Sequence, residues 1–489
     1  MNFVKKLFSL FIFTTLVAGS SYIIANDLDD DDFDFGLDIN EITPINLPNT
    51  QTRANNDDLL PFLVPVVENI KTPLWNHTKS PKGRDALYLI PNKLLAIEYG
   101  GAVLNLFFNY TNKMNFSIDE ALKLTDNQEA INSLETFLVH LINDTSASEA
   151  SAIMPLFKKL TIQERKGGGL IQAGFITGPF TFQLNTSLQV SERNFWLSKG
   201  DQEELSSMFK GADSTFDKKE LYLIKYGLGD TRLKAGLNSL NMSSFKLDVG
   251  FEGIFPTSKI SSIPRLKAYD INLDNFQTTL PDVLKSIRDN LITPRLGNGG
   301  HFGLGCYTEA KVDLFHNAIQ LWGRLSFDNL FSAKEDRLIA SKQTITKVDP
   351  LELLADPEYM TKFLKEFVFP PAYQVVIQPG GIFNFVLSST FNVSKRWGLG
   401  IGYDYYLEQK ELFENVYNIE DGSSVDTSSL RVDDAQQPSS SQHKIFAEAN
   451  YTRKQRGWDL LLGLGGDYTI SSKRMGHDWT LFLRLGAAF

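Results

Sequence analysis

Twelve charged residues fall on the polar side of segments whose side chains alternate one by one in character. They are Glu252, Glu309, Lys311, Asp313, Arg324, Arg396, Asp404, Lys444, Glu448, Asp459, Asp467 and Arg484. Both signs are present. Set across a narrow water path, such groups orient ions and polar solutes and give weak ion selectivity at best. Paired with one another, they would instead fill a closed interior. The spacing leaves both arrangements open.

Other chemistry finds little support. No Gly-x-x-x-x-Gly-Lys-Ser/Thr loop is present to cradle a phosphate. The clusters Gly167-Gly168-Gly169, Gly297-Asn298-Gly299-Gly300 and Gly398-Leu399-Gly400-Ile401-Gly402 miss the dinucleotide spacing and fit turns or crowded strands. His-Glu-x-x-His, Cys-x-x-Cys and Gly-x-Ser-x-Gly are all lacking. The six histidines are scattered singly. His301, Glu309 and Ser326 are the residue types of a hydrolase, but no spacing brings them together. Cys306 is the only cysteine, which excludes an intramolecular disulfide and a cysteine-based zinc site. The sequence therefore predicts no catalysis, no cofactor and no metal.

The elements that must position the charges are strands. Trp479, Leu481, Leu483, Leu485, Ala487 and Phe489 share one face, against Asp478, Thr480, Phe482, Arg484, Gly486 and Ala488. Trp397, Leu399, Ile401, Tyr403, Tyr405 and Leu407 stand against Arg396, Gly398, Gly400, Gly402, Asp404 and Glu408. The same period of two runs through Phe180–Leu188, Phe245–Phe251, Phe302–Leu314, Ile445–Tyr451 and Trp458–Ile470. A soluble β-sandwich also alternates, with its apolar rows inward. Here the segments run about 10–14 residues, enough to cross a membrane at a tilt, against about 5–6 in globular strands. Tyr and Trp gather near segment ends, as at a membrane interface. The opposite face mixes charge with glycine, which suits a wet, crowded lumen. Apolar rows facing lipid is the expectation, with Cys306 among them.

Composition agrees. The chain has 489 residues and a net charge of −10, from 48 basic and 58 acidic residues. That acidity argues against a nucleic-acid partner. Apolar residues are 42% and charged residues 22%, which excludes a polytopic helical membrane protein and a wholly disordered chain. Lys5 and Lys6, the apolar stretch Leu7 to Val17, and Ala18-Gly19-Ser20 read as a signal peptide over residues 1–25. The apolar core is too short for an anchor, which needs about 20 residues. Asp29-Asp30-Asp31-Asp32, Asp34 and Asp38 then open an acidic, solvated tail over 26–60. It lacks the pattern of a calcium loop. The barrel is expected over 61–489.

The final Trp479-Thr480-Leu481-Phe482-Leu483-Arg484-Leu485-Gly486-Ala487-Ala488-Phe489 resembles the closing strand of bacterial outer-membrane β-barrels, porin-like and of no specific subfamily. The resemblance covers roughly residues 94–489 as architecture and only this strand as a motif. It implies location in the outer membrane, embedding in its bilayer, and a terminal Phe489 read by the barrel-assembly machinery.

Thirteen candidate strands begin near Leu94, Lys166, Pro179, Lys219, Thr231, Ser243, Gly299, Asn317, Gly381, Arg396, His443, Gly457 and His477. Such barrels have an even number. A missed strand around Ile263 to Ile271 would repair the parity, so about fourteen are expected, within twelve to sixteen. Ser117 to Phe157 reads as a helical insertion (about 117–158), placed either in the lumen or outside it. Shorter helical patches follow at Pro281–Asn290 and Pro350–Phe367, and Glu420–Gln442 reads as a polar surface loop.

Three functions fit a fold of this kind. The first is passive or semi-selective passage of small solutes. The second is a barrel-anchored surface interaction or structural role. The third is uptake of hydrophobic molecules, with the helical insertion as a hatch.

Overall fold

The structure, a computed structural model, describes residues 84–90, 100–114, 161–196, 222–242, 244–258, 292–339, 372–455 and 457–488. The expected signal peptide, acidic tail, helical insertion, two helical patches, the strand around 263–271 and Phe489 lie outside the described residues.

Fifteen strands are described. They are β1 Gly100–Met114, β2 Thr161–Thr177, β3 Phe180–Trp196, β4 Tyr222–Asn241, β5 Phe245–Phe255, β6 Gly303–Leu314, β7 Ile319–Leu330, β8 Ala333–Leu338, β9 Ala372–Gln378, β10 Ile382–Asn392, β11 Trp397–Glu408, β12 Leu412–Asn418, β13 Ser440–Gln455, β14 Trp458–Lys473 and β15 His477–Ala488. Twelve of them close into an antiparallel barrel in the order β1-β15-β14-β13-β11-β10-β7-β6-β5-β4-β3-β2. The seam is a full ladder from Gly101↔Ala488 to Asn112↔His477. Closure gives every strand two neighbours. That is the condition for crossing hydrocarbon, where an unpaired backbone group costs several kcal/mol.

The count is twelve, not fourteen, and the correction lies in one strand. The candidates starting near Lys219 and Thr231 are both parts of β4, 20 residues long. Gly227-Leu228-Gly229-Asp230 has the look of a turn, yet the ladder to β3 runs through it with a single register shift, opposite Thr186 to Leu188. Glycines inside a strand mark a bulge as readily as a reversal. Merging the two candidates restores even parity, and no further strand is needed.

The turns then sort by length. At the end that carries both barrel termini, the connections are 178–179, 242–244, 315–318, 393–396 and 456–457. At the other end they are 115–160, 197–221, 256–302, 331–381, 409–439 and the short 474–476. Short turns on the periplasmic side and longer loops outside is the pattern of outer-membrane barrels.

Polarity is inside out. Leu481 is 54% exposed, Leu464 62% and Ile401 59%, while Phe482, Asp467 and Asp404, on the opposite faces of the same strands, are buried. Aromatic pairs rim both ends of this apolar band. Trp397–Tyr451 and Phe175–Phe182 lie near the periplasmic turns, with centroids 5.0 and 5.2 Å apart. Phe302–Phe331 and Phe108–Trp479 lie toward the loops, at 5.6 and 5.4 Å. A charge at the middle of such a band costs about 2–4 kcal/mol. Ile401→Arg is therefore expected to lose that much stability in urea titrations of the barrel folded in lipid vesicles. An unchanged midpoint would mean that this row does not face hydrocarbon.

Inward glycines make room for large inward rings. A Cβ at Gly402 would collide with the ring of Phe446, and one at Gly465 with that of Phe482. In the same runs, a Cβ at Gly400 would meet Glu448 and one at Gly463 would meet Asn450 and Arg484, so the glycines leave room for inward polar chains as well.

Outside the barrel, β8, β9 and β12 form a three-stranded sheet in the order β12-β9-β8 at the loop end. Residues 420–442 are not merely a polar surface loop. Leu430 and Ala435 are buried in a small core with Ile339, Val375, Ile377 and Val416. Hydrogen bonds from Ser423 hold the carboxyl of Asp421, at the exposed tip of this loop, below its ordinary range.

Candidate functional site

Inward side chains of barrel strands, among them β1, β2, β4, β7, β11 and β15, converge on the segment 84–90, which lies inside the barrel. Ala86, Leu87, Leu89 and Ile90 are all buried to 3% exposure or less. Asp85 caps the short 3-10 turn Ala86–Tyr88 by accepting from the Leu87 N–H, a local device that suits aspartate before a helical turn. Arg84 Nη2 donates to Asp404 Oδ1 at 2.9 Å, and its guanidinium lies 4.9 Å from the Tyr406 ring centre. Lys166 Nζ donates to the carbonyl of Arg84 at 2.9 Å. The Tyr88 hydroxyl donates to Asp328, and Arg232 sits 4.2 Å over the Tyr88 ring. Tyr88 also joins an apolar cluster with Ile254, Leu330, Ile382, Tyr406 and Met475. Ala86, Leu89 and Ile90 pack on Phe107 and Phe482.

Around this segment the wall is a set of buried ion pairs. Glu252 receives Arg232, Arg324 at 3.1 Å and Lys234 at 3.7 Å. Arg232 also reaches Asp328 at 2.8 Å. Lys444 lies between Asp467 at 3.0 Å and Asp478 at 2.9 Å. Glu164 holds Arg193 at 2.7 Å and Lys166 at 3.1 Å. Arg484 approaches Glu448 at 3.4 Å. Charges this deep persist only because they are paired and hydrogen-bonded. A cavity of about 20 Å³ remains among Leu87, Tyr88, Ile90, Lys234, Asn384 and Val386, room for about one water molecule.

The twelve residues singled out from the sequence divide by height. Glu252, Arg324, Asp404, Lys444, Glu448, Asp467 and Arg484 belong to the pairs just described. Glu309 accepts from Trp322 Nε1 at 2.6 Å. Toward the periplasmic turns, Lys311 and Asp313 are half-buried and 3.9 Å apart, and Gln320 donates to Asp313 at 2.9 Å. Asp459 is half-buried and faces Lys454 in the ladder, while Arg396 is exposed in a turn. Sequence reading missed Arg232, Lys234, Lys166, Arg193, Asp328 and the whole of 84–90. The first two lie just past the false break in β4. Their alternation with Leu233 and Ala235 was the available signal.

His301 does not meet Glu309. Its Nδ1 lies 2.8 Å from the Phe331 carbonyl and its Nε2 2.7 Å from Glu335 of β8. Glu335 also receives Arg337 and, at 3.3 Å, Arg295. Burial lowers the Arg295 guanidinium pKa despite that carboxylate. This group ties the outer sheet to the barrel mouth, and the same connection is anchored below, where Asp230 in the β4 bulge accepts from the Asn298 N–H at 2.7 Å. Removing the shared carboxylate with Glu335→Ala leaves Arg337 and His301 without this acceptor. Cleavage within 331–381 by an added protease is expected to accelerate about tenfold or more, for a loss of roughly 1.5–3 kcal/mol. Unchanged cleavage would mean that the tie contributes nothing. Among the described residues no group of three or more His, Cys, Asp or Glu is arranged to hold a metal ion.

A closed antiparallel barrel, apolar outside, charged inside and aromatic at both rims, defines a membrane-spanning barrel of the outer-membrane type. The chain is porin-like in that broad sense, and the outer membrane is its location. No family model and no curated protein matches the sequence. Among solved structures it is similar to an outer-membrane channel from Pseudomonas putida F1, with 10% identity and a TM-score of 0.40 over 82% of this chain and 99% of that one. It is also similar to the translocator domain of the autotransporter NalP from Neisseria meningitidis, at 7% identity and TM-score 0.31, covering 82% and 91%. The Pseudomonas putida toluene transporter TodX gives 8% identity and TM-score 0.33, covering 86% and 96%. At these scores none of them assigns a subfamily or a solute.

Proposed function

We propose that the barrel is a channel for passive or semi-selective passage of small polar solutes, held shut by the segment 84–90. The observation that supports this reading is the manner of occupation. A short piece of chain fills the lumen; its polar ties to the wall are chiefly Arg84 to Asp404, Lys166 to the Arg84 carbonyl, and Tyr88 to Asp328, beside apolar packing on Phe107, Phe482 and the Tyr88 cluster. A wall built of paired charges of both signs stays hydrophilic when that segment leaves, as a water path requires, and favours neither cations nor anions strongly. No reaction is part of this reading.

The test is conductance in planar bilayers, comparing the full chain with a variant lacking 84–90. The full chain should show rare or small steps and the deletion frequent, larger ones. Silence from a correctly folded deletion variant would defeat the channel reading. A second reading, a surface interaction role anchored by the barrel, draws on the folded sheet β8-β9-β12 at the loop end. It predicts that Glu335→Ala impairs attachment to a partner surface while leaving single-channel currents untouched.

A further inference from the structure

The periplasmic rim carries a concentrated basic patch on one side. Lys395 and Arg396 occupy the β10–β11 turn; Arg453 and Lys454 lie at the end of β13. All four are exposed, and among the described residues none of them makes an ion pair. Lys454 has the parity of the inward row and stands opposite Asp459, so it lies on the lumen side, whereas Arg453 shares the outward row with Tyr451. The two turns are neighbours because β11 pairs with β13, and they are joined directly, the Thr452 N–H donating to the Arg396 carbonyl at 2.8 Å. Ser394 Oγ accepts from the Arg396 and Trp397 N–H groups at 3.2 and 3.1 Å, which fixes the first turn. The other described turns at this rim, Gly178-Pro179, Met242 with Ser244, and Phe315-His316-Asn317-Ala318, contain no Lys or Arg. Elsewhere at this rim the exposed Lys246 stands at the start of β5 opposite Lys311 of β6, away from β11 and β13, so Lys395, Arg396 and Arg453 form a separate local patch.

What lies next to it sets its depth. Trp397 and Tyr451 are paired in the ladder, meet at a tilt of 56° with ring centroids 5.0 Å apart and face outward, Trp397 being 52% exposed. Leu399 and Ile401 follow on the same outward row. Read along β11 and β13, the surface passes from cations to interfacial aromatics to aliphatics. Arg453 stands two residues beyond Tyr451, about 7 Å along the strand. That is the order of headgroup, interface and acyl chain in a bilayer.

We infer that Lys395, Arg396 and Arg453 bind the phosphate headgroup of an anionic glycerophospholipid in the periplasmic leaflet, with Trp397 and Tyr451 against its glycerol region. The partner is a lipid because the patch is continuous with the lipid-facing row. Three cations around one headgroup favour an anionic lipid over a zwitterionic one by about tenfold or more.

The test is native mass spectrometry of the purified full chain, released from detergent in the presence of equal amounts of phosphatidylglycerol and phosphatidylcholine. Preferential retention of phosphatidylglycerol by about tenfold is expected. A variant carrying Lys395→Ser, Arg396→Ser and Arg453→Ser should lose the preference. Folding of this variant is checked by the migration difference between unheated and boiled samples. A second variant, Lys395→Arg, should keep the preference. Equal retention of both lipids by the parent chain overturns the inference, and so does an unchanged preference in the serine variant that remains folded.

Discussion

Arg84→Met is expected to turn a mostly closed barrel into a conducting one. The Arg84 and Asp404 side chains are 1% and 5% exposed and 2.9 Å apart. Without the guanidinium, Asp404 keeps the Asn384 amide at 2.9 Å but loses its cation. Stranding one partner of a buried pair costs about 3–5 kcal/mol. That cost applies to the closed state alone, because water reaches Asp404 once the segment leaves. At 1.4 kcal/mol per tenfold, the closed-to-open ratio falls by roughly two to three orders of magnitude. Open probability in single-channel records is the measurement. Adding Asp404→Asn to Arg84→Met neutralises the stranded carboxylate and should restore much of the closure. An open probability equal to that of the parent chain would show that this pair does not hold the segment.

The second large effect concerns the wall. Lys444 is fully buried between Asp467 and Asp478. Asp478 has further donors in Asn109 at 2.9 Å and Gln442 at 2.8 Å, so it belongs to a network that joins β1, β13, β14 and β15 across the barrel seam. Lys444→Met leaves two carboxylates facing one another without a cation. A loss of about 3–5 kcal/mol is expected, read as a lower urea midpoint and a lower temperature for conversion of the compact electrophoretic band to the unfolded one. Asp467→Asn in the same chain should recover part of it, because neighbouring sites in one network do not add. A loss equal to the sum of the two single changes would mean that the carboxylates are not coupled through Lys444.

Both effects rest on groups of very different visibility in the sequence. Period-two alternation placed Asp404, Lys444 and Asp467 on the inward side, because in a strand the face of a residue follows from its parity alone. The same rule told which rows would meet lipid. It failed at Gly227-Leu228-Gly229-Asp230, where a bulge and a turn have the same composition and only the pairing partner decides between them. It was silent on 84–90. Leu87, Leu89 and Ile90 read as the start of any apolar strand, and what holds the segment inside is contact with residues as remote as Asp404, 320 positions away. Which charges pair was equally hidden. Strand parity shows that Glu252 and Arg324 face the same interior, but not that they meet at 3.1 Å.

Cys306 sits outward on β6, exposed among the apolar rows. Being the chain's sole thiol, it is a native attachment point for a spin label or fluorophore, and no residue need be replaced to create one. Quenchers confined to chosen bilayer depths would then report how far the cylinder is immersed and at what inclination.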